Sequence, residues 1–337
     1  MSRHIGIDLG TANTLAYVKG KGIVLREPSV VAIDEALGKV IAIGTEAKEM
    51  VGKTPVGITA SRPLKDGVIA EFELTKLMLK SFVRRLSGGR IFFFRPDILV
   101  CIPYGVTEVE RMAVEDAALE SGARTVALIE EPVAAAIGSD INVDAARGSL
   151  IVDIGGGTTE VAVISLGGTV VSESLRVAGD KMDDAIVSFV RRKYGMIIGE
   201  STAESIKKTV GSVHRDVDRG YMDVMGRNAS TGLPMTVKVT SKDTAEALKD
   251  ITASLVDVIR RTLEKTPPEL SGDIYDDGVV LAGGGALIGG LDRLITDITG
   301  LPARVAKSPL DGVIRGIGKV IDDMDKYRPM LHFIKYK

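Results

Sequence analysis

An apolar run, an aspartate, a glycine-bearing turn and a second apolar run occur twice along the chain. Ile7-Asp8-Leu9-Gly10-Thr11-Ala12-Asn13-Thr14 lies on Val152-Asp153-Ile154-Gly155-Gly156-Gly157-Thr158-Thr159 at an offset of 145 residues (153 − 8). Apolar segments 15–18 and 161–164 follow the two turns, so each copy predicts a β-hairpin and the pair predicts two similar domains facing one ligand. Ile98-Leu99-Val100-Cys101-Ile102 reads as a strand, and Val279-Val280-Leu281-Ala282 as a buried one. Leu74, Leu77, Met78, Phe82 and Leu86 recur at helical spacing and stop before Gly88-Gly89. Pro132, a favoured first helical residue, opens another helix through Val133-Ala134-Ala135-Ala136, and a further helix is expected near Ala286. Residues 206–227 mix Lys, Arg, His and Asp with few apolar side chains and read as exposed.

The chain of 337 residues has room for two domains, and its 45% hydrophobic and 26% charged residues are the balance of a soluble globular protein. Aromatic residues are only 4% and Trp is absent, while glycine reaches 38, so the core must come from Val, Ile, Leu and Ala around many tight turns. That composition suits an α/β protein. The formal charge of −2, with both signs interspersed, leaves no electrostatic footprint for a polyanion, and no nucleic-acid partner is expected. The single Cys101 excludes a disulfide within the chain, and its apolar surroundings predict a buried, inert thiol. Met1-Ser2-Arg3-His4 leads straight into strand-like sequence, and no apolar run approaches the roughly 18 residues of a membrane span, so a cytoplasmic location is expected.

The turns carry the candidate chemistry. Gly10, Thr11, Ala12, Asn13 and Thr14 in one copy, and Gly155, Gly156, Gly157 and Thr158 in the other, let the backbone aim several N–H groups at phosphate oxygens. No Lys follows the glycines and the chain continues as a strand, so the Walker pattern fails. An aspartate beside a triphosphate repels it unless a cation stands between, and Asp8 and Asp153 therefore call for Mg²⁺ held mainly through water. The competing account of either copy alone is a plain hairpin turn.

These hairpins resemble the phosphate motifs of the actin, Hsp70 and sugar-kinase superfamily. Glu130-Glu131-Pro132-Val133-Ala134-Ala135-Ala136-Ile137-Gly138, Thr266-Pro267-Pro268-Glu269-Leu270 and Leu281-Ala282-Gly283-Gly284-Gly285-Ala286-Leu287-Ile288 are similar to segments of the bacterial actin homologues of the MreB/Mbl family. The resemblance runs from about residue 5 to about residue 325. It implies an α/β, actin-like ATPase fold with two similar domains around a nucleotide cleft, binding ATP/ADP with Mg²⁺. Residues 1–145 would form the first domain, with a small insert at about 33–66. Residues 146–315 would form the second, with an insert at about 182–245, and residues 316–337 would pack back on the first. Glu131 would orient the attacking water with Thr158, and Asp153 would serve the metal. A helix-start carboxylate favoured by the helix dipole is the competing reading of Glu131. Gly283, Gly284, Gly285, Ala286 and Leu287 would receive the adenosine. Glu204, Ser205, Ile206 and Lys207 would close over the ribose, although Glu204 and Lys207, three apart on a helix, also fit a surface ion pair.

Arg90-Ile91-Phe92-Phe93-Phe94-Arg95 reads as a loop holding three of the 7 phenylalanines. Each ring gains roughly 1.5–3 kcal/mol if fully buried, less at a bilayer interface, and Arg90 and Arg95 suit anionic headgroups. Ile91, Phe92, Phe93 and Phe94 are thus candidate membrane contacts, with packing on the core as the alternative. Relatives that attach through an amphipathic N-terminal helix differ, since this sequence shows none, and Pro103-Tyr104-Gly105 departs from the usual Pro-Ser-Gly. The resemblance implies filaments, paired antiparallel, on the inner face of the membrane, serving cell-wall elongation and rod shape. A chaperone would need an appended substrate module beyond the last core helix near Gly312, and a small-molecule kinase would need an acceptor-specific acid or base that no segment supplies.

Overall fold

A computed structural model describes residues 4–86 and 95–335. The chain forms two compact units, one of Met1–Arg147, Ile164–Val170 and Leu310–Lys337, the other of Gly148–Val163 and Val171–Pro309. In the first, His4–Leu9 and Asn13–Val18 pair antiparallel, Asp97–Ile102 runs parallel to His4–Leu9, and Thr125–Glu130 runs parallel to Asp97–Ile102. Across the sheet the order is Gly22–Pro28, Asn13–Val18, His4–Leu9, Asp97–Ile102, Thr125–Glu130 and His332–Lys335. The second sheet follows the same plan: Gly168–Leu175, Thr159–Ser165, Ser149–Ile154, Val279–Ala282 and Ala303–Val305. Each places three consecutive strands first and adds two parallel strands beside the earliest of them. The sequence repeat is therefore also a repeat of topology.

Parallel neighbours need crossovers, and helices supply them. Phe72–Leu86 precedes Asp97–Ile102, and Glu108–Glu120 links that strand to Thr125–Glu130. The start of Glu108–Glu120 is fixed by a capping box: the Thr107 hydroxyl accepts the Glu110 N–H, and the Glu110 carboxylate accepts the Thr107 N–H. Alternate strand residues enter the cores. Ile5, Ile7, Val100, Ile102, Val126 and Leu128 share one cluster in the first unit, and Val152, Ile154, Val161, Val163 and Leu281 share one in the second. Each unit also carries a small three-stranded sheet, Val31–Asp34, Lys39–Ile43 and Ile58–Ser61 in the first, and Met196–Ile197, Tyr221–Asn228 and Pro234–Thr240 in the second.

In the first unit the helices Glu131–Gly138 and Gly312–Asp322 touch backbone to backbone. A Cβ on Gly138 would lie 1.7 Å from the Gly312 carbonyl oxygen, and one on Gly316 would lie 1.8 Å from that of Ala134. Only glycine fits at either place.

Two expectations are corrected. Gly284–Leu287 is a single 3₁₀ turn, and the helix begins later, at Leu291–Thr299, because the glycine run is pressed onto the Ser149–Ile154 strand. Residues 206–227 are not simply exposed. Ile206, Val210 and Val224 belong to the second core, and the buried ring of His214 bonds Asp297 through Nε2 at 3.0 Å while Nδ1 accepts the Asp216 N–H. Charged residues there alternate with core-facing ones, so composition averages over two faces.

Candidate functional site

Asp8 stands next to last in the His4–Leu9 strand, and the turn after it is organised by a residue far along the chain. Ser29, wholly buried, donates its N–H to the Ala12 carbonyl at 3.0 Å and its hydroxyl to the Gly10 carbonyl at 2.6 Å. It also shares a hydrogen bond with the Thr14 hydroxyl at 2.9 Å. Across a trans peptide the N–H points opposite to the carbonyl, so drawing the Gly10 carbonyl toward Ser29 turns the Thr11 N–H the other way. The Thr11 hydroxyl accepts the Gly67 N–H at 3.1 Å, and Asn13 is exposed.

The second turn uses the same device with different residues. The Gly155 N–H closes the turn on the Thr158 carbonyl at 2.9 Å. The first residues of the Gly179–Tyr194 helix then take the other carbonyls: the Gly179 N–H donates to Gly155 at 3.1 Å and the Asp180 N–H to Gly156 at 2.8 Å. The N–H groups of Gly156 and Gly157 consequently face away from that helix, and neither donates to another described residue. Two adjacent N–H groups so disposed form an anion-binding concavity.

Asp153 is buried at the same place in its own strand that Asp8 holds in the first. Gly283 and Gly285 lie against it and its neighbour. A Cβ on Gly283, where φ is +78°, would fall 2.4 Å from Asp153 Oδ1, and one on Gly285 would fall 2.2 Å from Ile154 Cγ2. These glycines thus serve contact between protein segments. Gly284 and Leu287 are exposed and Ala286 is buried.

Glu131 opens the Glu131–Gly138 helix, with Pro132 at the position that needs no N–H. Its charge and that of Asp8 reach Cys101, whose buried thiol donates to Asp8 Oδ1 at 3.3 Å. Burial pushes this thiol well up, and the two carboxylates push it further. Asp8 itself is pushed up to about 6 by burial, with the Cys101 hydrogen bond opposing the shift.

The Glu200–Val210 helix separates the residues that the sequence grouped. Ile206 is in the core, the exposed Ser205 hydroxyl bonds the Ser201 carbonyl, and Glu204 pairs with Lys208 at 2.6 Å. Lys207 turns to the neighbouring helix, donating to Asp183 at 2.8 Å and to the Gly179 carbonyl at 2.7 Å. Ile91, Phe92, Phe93 and Phe94 lie outside the described residues.

Among the described residues no group of three or more His, Cys, Asp or Glu could hold a metal ion. The described residues thus offer no all-protein cage. Mg²⁺ bound through phosphate and water needs only one or two carboxylates, and a strand-end aspartate beside each phosphate-type turn fits that demand.

Asp183 carries a pH signature. Burial pushes it up to about 6, Lys207 opposes the shift, and Glu204 and Asp180 add to it. The native carboxyl then binds its proton more tightly than the unfolded one, so its contribution to stability is present below about pH 4 and lost as pH rises to about 6. Urea unfolding of wild type and Asp183→Asn should diverge across that window by up to about 1.4 kcal/mol per pH unit. Parallel stability curves would contradict the assignment.

Ser29 and Asp183 carry no motif signal, because each acts through contacts that exist only after folding. The sole hint at Gly179 is a glycine at the start of a helical pattern.

The sequence matches the family model described as MreB/Mbl protein over residues 2–329. It is 50% identical over 325 residues to the cell shape-determining protein Mbl of Bacillus subtilis, covering 96% of this chain and 97% of that one. Identity to the cell shape-determining protein MreB of Escherichia coli K12 is 49% over 330 residues, 97% of this chain and 95% of the relative. The structure of MreB 5 of Spiroplasma citri bound to AMPPNP superposes with TM-score 0.92 at 41% identity over 98% of each chain. The MamK double helical filament, at 22% identity and TM-score 0.80 over 96% of this chain and 99% of that one, supports the fold alone.

Proposed function

The chain belongs to the MreB/Mbl family of actin-like proteins, and from that premise we propose that it is a cytoskeletal ATPase that polymerises with ATP and Mg²⁺ on the inner face of the cell membrane. The relatives are named as cell shape-determining, and the Spiroplasma citri protein was solved with ADP and with AMPPNP. One observation of this chain carries the nucleotide reading: each turn after a strand-end aspartate has its carbonyls held by the protein, so that N–H groups face the other way.

In this reading the backbone of Gly10–Thr14 and of Gly155–Thr158 binds phosphate oxygens. Asp8 and Asp153 would hold Mg²⁺ through water, and when bound it would supply neutralising charge beside the phosphate oxygens. Glu131 and Thr158 orient the attacking water; reaction of a terminal phosphate needs such positioning more than a strong base. The loop 283–287 takes the adenosine. Hydrolysis is slow and coupled to assembly, since closed ATP-bound subunits favour a head-to-tail contact that does not close into a ring. Antiparallel double filaments then attach to anionic lipid through many copies of Ile91-Phe92-Phe93-Phe94, where avidity multiplies a weak contact. The cell-level role is organisation of the wall-elongation machinery and rod shape.

Electron microscopy of the purified chain on anionic and on neutral lipid tests the reading. Paired filaments lying flat on anionic lipid are expected with ATP and Mg²⁺, together with slow phosphate release. Folded protein that neither binds ATP nor assembles in any condition would reject it.

A further inference from the structure

The second phosphate-type turn is reached by a continuous hydrogen-bond path that begins at a buried ion pair. Lys207 Nζ donates to Asp183 Oδ2 at 2.8 Å and to the Gly179 carbonyl at 2.7 Å. Gly179 and Asp180, in turn, donate their N–H groups to the carbonyls of Gly155 and Gly156. The fit is close: a Cβ on Gly179 would stand 3.1 Å from the Gly155 oxygen and 3.4 Å from Lys207 Nζ. Asp183 is only 4% exposed, and its Oδ1 has no hydrogen-bond partner among the described residues. Lys207 therefore compensates a carboxylate that has little solvent of its own.

We infer that Asp183 is a positioning residue for the Gly155–Gly157 turn, acting through Lys207 to seat the first residues of the Gly179–Tyr194 helix on the turn carbonyls and so to aim the Gly156 and Gly157 N–H groups. The inference rests on the reading of that turn as a phosphate site, and the ligand chemistry it serves is the phosphate chain of a nucleoside triphosphate. The first-turn N–H groups of a helix are ordinarily open to an anion. Here two of them hold carbonyls, and the anion-facing role passes to the next two peptides of the turn.

The sequence suggested a different task for Lys207, direct contact with nucleotide. The two roles separate cleanly. A lysine that touches nucleotide loses its effect when removed, whereas removal of Asp183 would merely release it. A lysine that works through Asp183 gives the same loss from either side of the pair, and the losses do not add.

The experiment measures equilibrium affinity of the full chain for ATP with Mg²⁺ and, separately, for adenosine, in Asp183→Asn, Lys207→Met, the double variant and Lys207→Arg. Nucleotide-free melting of each variant establishes folding, and Asp183→Ser replaces Asp183→Asn in the test if that variant does not fold. The expected result is a loss of ATP affinity of about tenfold in each single variant and no greater in the double, with adenosine affinity within about twofold and Lys207→Arg close to wild type. Unchanged ATP affinity in a folded Asp183→Asn protein overturns the inference. So does a loss confined to Lys207→Met, which would make the lysine a direct ligand, and so does an equal loss for ATP and adenosine, which would mark a general structural role. Wild-type protein that binds no ATP removes the functional reading itself, and this inference with it.

Discussion

Glu131→Ala is expected to bind ATP and Mg²⁺ as the wild type does and to release phosphate about 10²- to 10⁴-fold more slowly, the range over which a positioned carboxylate acts on a proton-bearing nucleophile. The side chain is held at the first residue of a helix by the proline that follows it, and the helix beyond it is buried along its whole length. In the proposed role truncation removes an acceptor for water, while Pro132 keeps the helix start in place. Glu131→Gln separates charge from shape, because it keeps the volume and one acceptor oxygen. Single-turnover phosphate release, measured alongside nucleotide affinity, reads the effect on the chemical step alone. Wild-type turnover in a folded Glu131→Ala protein would take this residue out of the mechanism.

Gly316→Ala, like Gly138→Ala on the facing helix, should be a severely damaging single-methyl change in the first unit. The added carbon would sit 1.8 Å from the Ala134 carbonyl oxygen, with the Ala134 carbonyl carbon at 2.7 Å and its Cα at 3.1 Å. All three are backbone atoms and none can rotate aside, so the two helices must separate. Overpacking of this kind costs about 3 kcal/mol or more. For a unit of this size the melting temperature should fall by about 6–12 °C. Gly20→Ala is the control for glycine content, since a Cβ there meets nothing within 4 Å, although its φ of +78° adds some strain of its own. A Gly316→Ala protein melting within a degree or two of wild type would mean that the helices are not packed as described.

The parts of the molecule visible in the sequence were those whose cause is local. The paired Asp-Gly turns announce themselves because the turn residues and the flanking apolar runs are contiguous, and both sheets are built around them. The strand at residues 279–282 and the helix starting at Glu131 were legible for the same reason. Ser29 was not, since it acts on Gly10 from 19 positions away. Asp183 was not either, because its partner Lys207 stands 24 positions further on and is reached only once two helices have packed. The glycines at 283 and 285 were seen, but their packing role was not. They lie against Ile154 and Asp153 of the neighbouring strand, where a 3₁₀ turn precedes a helix that starts only at Leu291. Residues 206–227 misled because a mean over charged positions hides which of them face inward.

The chain contains one sulfhydryl, at Cys101, and the fold keeps it covered, protonated and bonded to Asp8. An alkylating reagent reacts with the thiolate, so the native state is almost inert to it and modification proceeds through transient opening. The single sulfur thereby acts as a clock placed inside the first unit, with no engineered label needed: the speed at which it is capped measures how often the central strands come apart, and anything that steadies those strands slows the clock.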